Sequence, residues 1–171
     1  SGTQVAVFTV NLSAPSGVAV LVDYTTASGS AAAGSDYVAA SGTLTFAAGE
    51  ISKTFDIVVV GDPLDAADET FLLDLGNVLN GTLVDAQAVG TITDDDAPPS
   101  LNIGDVSVVE GNSGTKRLVF ALNLSAASGQ AVSASYVTAD GTADNSDYVP
   151  ARGMASFAPG ETSAAVVILV N

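Results

Sequence analysis

Apolar and polar side chains alternate along most of this chain with a period of two residues. In one clear stretch, Leu118, Phe120, Leu122 and Leu124 share one side of a predicted strand, and Asn123 falls on the other side. Because successive side chains of a strand point to opposite faces, this pattern predicts strands with one buried face. No stretch has a convincing helical period, so the sequence indicates an all-β fold.

Several further segments repeat this alternation, and clusters rich in Gly, Pro, Ser and Asp separate them. The predicted strands cover about residues 6–12, 18–24, 44–46, 55–59, 71–75, 86–93, 101–109, 118–124 and 132–136. Short strands at this spacing, bounded by turn residues, are typical of a β-sandwich. Aromatic residues recur at matched places (Phe8 and Phe120, Tyr24 and Tyr136, Phe46 and Phe157), which favours a role in the core.

The pattern is duplicated along the chain. The opening SGTQVAVFTVNLSAPSG returns from Ser113 as SGTKRLVFALNLSAASG, and GSDYVAASGTLTFAAGE (34–50) returns as NSDYVPARGMASFAPGE (145–161). A repeat of about a hundred residues has the size of one small domain. The run DDDAPP (94–99) separates the copies, so we predict two domains, residues 1–96 and 97–171.

Each copy lacks strands that the other contains. The first has no counterpart of residues 100–112, its expected opening strand, and the second stops within the strand that matches 55–60. The second copy therefore lacks the two closing strands. We expect exposed sheet edges. Either the chain is cut from a tandem array, or a neighbouring chain supplies the missing strands.

Composition narrows the chemistry. The chain has 4 Lys and Arg against 19 Asp and Glu, a net charge of −15, which argues against a nucleic-acid partner. It has no His and no Cys, so zinc and copper sites and thiol chemistry are not expected, whereas ions with oxygen ligands remain possible. No apolar run is long enough to span a membrane, so no direct membrane insertion is expected.

Acidic residues are densest in the predicted turns. Asp94, Asp95 and Asp96 follow the last strand of the first copy, the loop GDPLDAADE (61–69) holds four acids, and Asp36 lies in a third loop. Should these loops meet at one end of the sandwich, their oxygens could bind Ca²⁺. A solvated acidic linker is the alternative, and spacing alone does not decide between them. The run DGTADNSD (140–147) differs from an EF-hand loop because Ala151 stands where the loop requires Glu.

Catalysis is not predicted, and the chain is expected not to be an enzyme. Its Ser and Thr residues have no His to activate them. Carboxylate pairs can hydrolyse glycosides, but this chain has no Trp and few aromatics to line a sugar cleft.

A set of motifs resembles the Calx-β domain family. They are V-x-E-G-N (108–112), F-x-x-x-L-S (120–125), T-A-D-G-T-A (138–143), S-D-Y, F-x-P-G-E (157–161), D-E-T-F (68–71) and the closing T-I-T-D-D-D. The family is known from the cytoplasmic regulatory domains of sodium/calcium exchangers and from large bacterial surface and secreted proteins. The resemblance covers essentially the whole chain.

The resemblance implies a seven-stranded, immunoglobulin-like antiparallel sandwich that holds calcium at one end. Carried onto this chain, it implies these metal ligands: Asp36, Asp62, Asp94, Asp95, Asp96, Glu110 and Asp147. The chain departs from the family where Gly61, Pro63, Ala66 and Ala67 replace loop acids, and where the second copy lacks that loop and the triplet. We therefore expect weak affinity, about 10⁻⁴ to 10⁻³ M.

Together these observations predict a non-catalytic repeat module of a larger adhesin-like protein of bacterial type, extracellular or on the cell surface. Calcium at the junction between the two sandwiches would stiffen the array, whose partners would be neighbouring repeats. Strand exchange with another chain is a further expectation. Two alternatives stay open: a regulatory calcium sensor, as in the exchangers, and a carbohydrate- or protein-binding module.

Overall fold

The computed structural model describes residues 2–171, and in that range all the regular secondary structure is β-strand. Contacts divide the chain into two compact units. Unit 1 runs to Pro63 and resumes over Ala67–Asp94, and unit 2 comprises Leu64–Ala66 and Asp95–Asn171. All pairings between strands are antiparallel in this range.

Unit 1 is a sandwich of two sheets. One sheet pairs β1 with β4, and the other has the order β3-β2-β5-β6. Its strands are β1 (Gly2–Asn11), β2 (Val20–Ser28), β3 (Ser41–Phe46), β4 (Ser52–Gly61), β5 (Glu69–Leu79) and β6 (Gln87–Ile92).

The core of unit 1 lies between these sheets and is built from the apolar positions of the alternation. Phe71 of β5 and Phe46 of β3 are 0% exposed, and Ile57 of β4 is 1% exposed. The Phe71 ring meets that of Phe8 from β1 edge-on at 5.8 Å between centroids. Burial of each such side chain stabilises the fold by about 1.5–3 kcal/mol. The predicted core role of Phe46 is thereby confirmed.

Unit 2 repeats part of this plan. One sheet has the order β11-β8-β7 and the other pairs β10 with β9. Its strands are β7 (Leu101–Ile103), β8 (Lys116–Leu124), β9 (Val132–Val137), β10 (Arg152–Phe157) and β11 (Ser163–Val170). Phe157, 1% exposed, packs in its core with Leu122, Leu124, Val166 and Ile168.

Matching residues make matching contacts in the two units. Tyr24 lies over Gly42, where an added Cβ would come within 3.0 Å of ring atom Cε1, and Tyr136 lies over Gly153, where an added Cβ would come within 2.9 Å of ring atom Cζ. The Glu50 carboxylate accepts a hydrogen bond from the Ala47 N–H at 2.8 Å, and Glu161 does the same with Ala158 at 2.8 Å. The repeat in sequence is therefore a repeat in structure, and the all-β antiparallel prediction is confirmed.

The units differ in two places within residues 2–171. The counterpart of β7 is not seen beside β1, and β9 has no neighbour in the place that β5 takes beside β2. The predicted strand 101–109 is wrong in length, because β7 ends at Ile103. Gly104 and Asp105 interrupt the run, and Val109 beyond them is 85% exposed, so this segment lacks a buried face that would keep it in the ladder. Residues 2–171 contain no helix with the length and apolar character that a membrane crossing demands.

Replacing Gly90 by Ala should destabilise unit 1 by about 1–3 kcal/mol, the usual cost of overpacking a core. A Cβ at this β6 position would lie 2.5 Å from Cζ of the buried Phe71 ring. Urea unfolding monitored through the β5 amide signals checks this. Gly76→Ala is the matched control, since an added Cβ there meets nothing within 4 Å. Equal midpoints for the two variants would contradict the packing argument.

Candidate metal centre

The loop that joins β2 to β3 holds Asp36 in place through a buried neighbour. Tyr37 is 1% exposed, and its ring stacks on Phe71 at 4.5 Å and 17°. The backbone next to it is tied to β4, because the Val60 N–H donates to the Asp36 carbonyl oxygen at 2.9 Å. Asp36 therefore lies beside the end of β4, which Asp62 follows directly in the chain.

The same loop is fastened to the start of β5. The Ala31 N–H donates to the Thr70 carbonyl oxygen at 2.9 Å. A Cβ at Gly29 would lie 2.5 Å from that oxygen, so glycine is required where the two backbones approach this closely. Because Thr70 follows Glu69, this fastening brings Asp36 to Glu69.

Three carboxylates lie where the β2–β3 loop, the end of β4 and the start of β5 meet in unit 1. Partial burial raises the pKa of Glu69 above its ordinary value, and the charges of Asp36 and, to a smaller extent, Asp62 raise it further. A hydrogen bond with Asp36 acts in the same direction, because protonated Glu69 can donate to that carboxylate. The three side chains thus form an anionic group that we call the Glu69 cluster: Asp36, Asp62 and Glu69.

A second acidic pair lies at the same end of β5. The Asp94 N–H donates to Oδ1 of Asp68 at 3.0 Å. The ladder between β5 and β6 sets this contact, since Glu69 is paired with Ile92. The predicted ligand Asp94 is therefore next to Asp68, which joins Asp94 to the strand that carries the Glu69 cluster.

The other predicted ligands belong to unit 2. Asp95 is exposed and Asp96 is half-buried. Glu110 and Asp147 line one cavity of about 710 Å³ within unit 2. Asp147 is held like Asp36, because its carbonyl oxygen accepts from the Asn171 N–H at 2.8 Å.

The donor chemistry of these groups fits calcium better than a soft metal. All the side-chain donors are carboxylate oxygens, which hard ions such as Ca²⁺ prefer. Among residues 2–171, however, no three acidic side chains are gathered closely enough to hold a metal ion. In unit 1, Oδ2 of Asp36 accepts instead from the Ala32 N–H at 2.7 Å. The arrangement concentrates negative charge on several loops without forming a coordination shell.

The predicted ligand set left out Glu69 and Asp68, which the structure places among the acids of unit 1. Both stand in the D-E-T-F motif at the start of β5. The available signal was the position of this motif. It begins β5 at the edge of the sandwich where β4 and β6 end, because consecutive antiparallel strands begin and end at the same edge.

In calcium-free buffer, the stability of unit 1 should fall as pH rises through the raised pKa of Glu69. Between the ordinary pKa of Glu and this raised value, the folded state binds more protons than the unfolded state, so the free energy of unfolding decreases with pH. Glu69→Gln should remove this fall. Urea unfolding at a series of pH values, monitored through the β5 amides, is the measurement.

Glu50→Gln is the control of opposite sign. The hydrogen bond from the Lys53 ammonium, at 2.8 Å, and that from the Ala47 N–H lower the pKa of Glu50. Glu50 therefore contributes stability that is fully present above the ordinary pKa of Glu and is lost as pH falls through its lowered folded pKa, so Glu50→Gln should remove this acid-side loss and leave the fall at higher pH that Glu69 causes. A profile that Glu69→Gln leaves unchanged would refute the assignment.

Sequence comparison with curated proteins finds sodium/calcium exchangers. The chain is 42% identical over 59 residues to "Sodium/calcium exchanger 1" of Canis lupus familiaris, a match that covers 34% of this chain and 6% of that protein. It is 44% identical over 68 residues to "Sodium/calcium exchanger 2" of Homo sapiens, covering 40% and 7%. The chain thus matches only a small part of the length of these relatives.

Solved structures resemble the chain over nearly its whole length. "Crystal structure of calcium binding domain CBD12 of CALX1.1" matches with a TM-score of 0.53 and 26% identity, covering 95% of this chain and 67% of that one. "Crystal structure of CBD12 from CALX1.2" matches with a TM-score of 0.53 and 24% identity, covering 97% and 69%, and supports the fold alone.

The predicted extracellular or cell-surface location is wrong. The proteins that the chain matches are sodium/calcium exchangers and a calcium binding domain of CALX1.1, and these point to intracellular rather than extracellular placement. The prediction relied on the bacterial surface members of the family, and membership of the family alone does not distinguish the two compartments. The comparisons likewise give no support to a role in cell adhesion.

A model of one domain family matches the chain twice. It is described as "Calx-beta domain" and aligns with residues 1–96 and again with residues 94–171. The two matches together account for the full sequence and follow the internal repeat. The chain therefore belongs to the Calx-beta domain family, of which it carries two tandem copies.

Proposed function

We propose that this chain is a non-catalytic, calcium-binding regulatory module made of two Calx-beta domains. The observation that carries the proposal is the Glu69 cluster, where partial burial and two neighbouring carboxylates raise the pKa of Glu69. Keeping these like charges together costs free energy, and a bound cation would remove much of that cost.

The comparisons favour regulation over the stalk-like structural role predicted from the sequence. The relatives are ion exchangers of calcium, and a matching structure is itself described as a calcium binding domain. Regulation by calcium needs an ion site whose occupancy changes the conformation of the protein. The Glu69 cluster meets this need because it joins three elements: the β2–β3 loop, the end of β4 and the start of β5.

Asp36, Asp62 and Glu69 would provide the ligands in unit 1, with Asp94 and Asp68 next to them. Calcium, when bound, supplies charge neutralisation and cross-linking of the loops. Asp36 would exchange its hydrogen bond with the Ala32 N–H for the ion, and this exchange would couple occupancy to the loop conformation. In unit 2, Glu110 and Asp147 are the candidates, since both line one cavity.

A purely structural calcium module is the second candidate, and one observation favours it. The loop between β4 and β5 has Pro63, Ala66 and Ala67 where further acids would tighten binding. Fewer charged ligands lower the affinity, toward 10⁻⁴ to 10⁻³ M, whereas calcium sensors work at about 10⁻⁷ to 10⁻⁵ M.

Calcium should raise the thermal stability of the wild-type chain. At free Ca²⁺ about 100-fold above the dissociation constant, the free energy of unfolding rises by about 2.7 kcal/mol. Asp36→Asn and Glu69→Gln should each lose most of this gain, because each removes a carboxylate of the Glu69 cluster. Isothermal titration calorimetry gives the affinity, and calorimetric melting with and without Ca²⁺ gives the stabilisation.

Asp56→Asn is the matched control, since it removes the same charge from an exposed position within β4. This variant should retain the full calcium effect. A dissociation constant in the micromolar range supports the sensor, and a millimolar constant supports the structural module. Neither heat nor a melting shift at 10 mM Ca²⁺, a concentration about ten times the weak limit, would reject both.

A further inference from the structure

The sequence contains one Asn-Gly pair, Asn80-Gly81, in the loop that follows β5. Both residues are exposed, and the backbone of Asn80 lies in the left-handed region at a φ of 60°. Asn is one of the few residues besides glycine that adopt this conformation readily. The backbone of the loop therefore favours Asn at this position.

Packing explains why glycine follows Asn80. A Cβ at Gly81 would lie 3.1 Å from Cγ1 of Val78 and 3.2 Å from Cγ1 of Val20. Both distances are shorter than the optimal separation of two carbon atoms, about 3.5–4.0 Å, so a side chain here would push on both valines. Val20 is 4% exposed and belongs to the core of unit 1. The fold thus requires glycine directly after an exposed Asn.

These two residues form a chemically reactive pair. The side-chain amide carbon of Asn80 is an electrophile that the backbone nitrogen of the following residue can attack. A Cβ on that following residue obstructs the approach, and glycine has none. Within residues 2–171, the Gly81 N–H has no hydrogen-bond acceptor that would hold it away from this attack.

We propose that Asn80 deamidates spontaneously in the folded chain and that the product unfastens β2 from β5. The Gly81 nitrogen forms a bond to Cγ of Asn80 and loses its proton. The bond from Cγ to Nδ2 breaks, and Nδ2 takes up that proton and leaves as ammonia. Water then opens the cyclic imide at either carbonyl, which gives aspartate or isoaspartate. No electrons are transferred, and solvent water is the only co-reactant.

The structural effect follows from the hydrogen bond that the amide makes. Nδ2 of Asn80 donates to the Ala19 carbonyl oxygen at 2.9 Å. Ala19 directly precedes β2, and Leu79, next to Asn80 in the chain, pairs with Leu21 of β2. A carboxylate at position 80 has no proton to donate, so two acceptor oxygens would face one another. Deamidation should therefore loosen the start of β2 from the end of β5.

Peptide mapping of the folded chain by mass spectrometry tests the site, after incubation in neutral and in mildly alkaline buffer. Asn77 is the internal control. It is also exposed, has a φ of 47° and donates from its amide to Asp23 at 3.1 Å, but Val78 follows it. Asn80 should lose its amide at least tenfold faster than Asn77. The rate should rise with pH, because the attacking nitrogen must lose its proton.

Two variants test the structural effect. N80D introduces the carboxylate of one product, and N80G removes the amide but keeps a residue that tolerates the left-handed backbone. Both variants lose the hydrogen bond to Ala19, and only N80D adds the repulsion between oxygens. N80D should therefore unfold at a lower urea concentration than N80G, and incubated wild-type chain should shift toward N80D.

Three results would overturn the proposal. Equal rates at Asn80 and Asn77 would refute the reactive pair. Deamidation confined to urea-unfolded chain would show that the bond to Ala19 protects the amide in the folded state. A urea midpoint for N80D equal to or above that of N80G would refute the unfastening of β2 from β5.

Discussion

The packing of Phe71 between Phe8 and Tyr37 is the contact on which unit 1 depends. It joins β5 to β1 across the sandwich and holds the β2–β3 loop by its one buried tyrosine. Because Asp36 directly precedes Tyr37 in the chain, the same ring contact also fixes an acidic loop. Apolar burial thereby determines where the charges of this end of the unit are placed.

The same packing explains why the acidic residues are held together at a cost in free energy. Thr70, which follows Glu69, accepts a hydrogen bond from the loop backbone, so closing the loop over the core also buries part of Glu69. Burial then disfavours the ionised form, and the neighbouring carboxylates add repulsion. A fold that gains free energy from Phe71 and loses some at Glu69 leaves a local cost that a bound cation can remove. Under the proposed function, such an arrangement would make stability depend on calcium, as regulation requires.

The period-two pattern predicted most strands because each has one buried face, and the strand expected at 86–93 is observed as β6, Gln87–Ile92. The segment 101–109 failed because alternation without a facing sheet does not keep residues in a ladder. Glu69 was missed because its significance comes from contacts across the sandwich with Asp36 and Asp62, which spacing along the chain does not encode. The location was missed because membership of the family does not by itself report the compartment.

The two units together show which contacts of the loop tyrosine come from the repeated sequence and which come from β5. Loop anchoring by a tyrosine survives in unit 2, where Tyr148 still bridges to Val170, so it is intrinsic to the motif S-D-Y and the facing strand. Enclosure of that tyrosine does not survive, so it comes from β5. In unit 1 the strand that supplies the aromatic residue also supplies Glu69, beside Asp36. In unit 1, enclosure of the tyrosine and the gathering of the carboxylates therefore depend on the same strand.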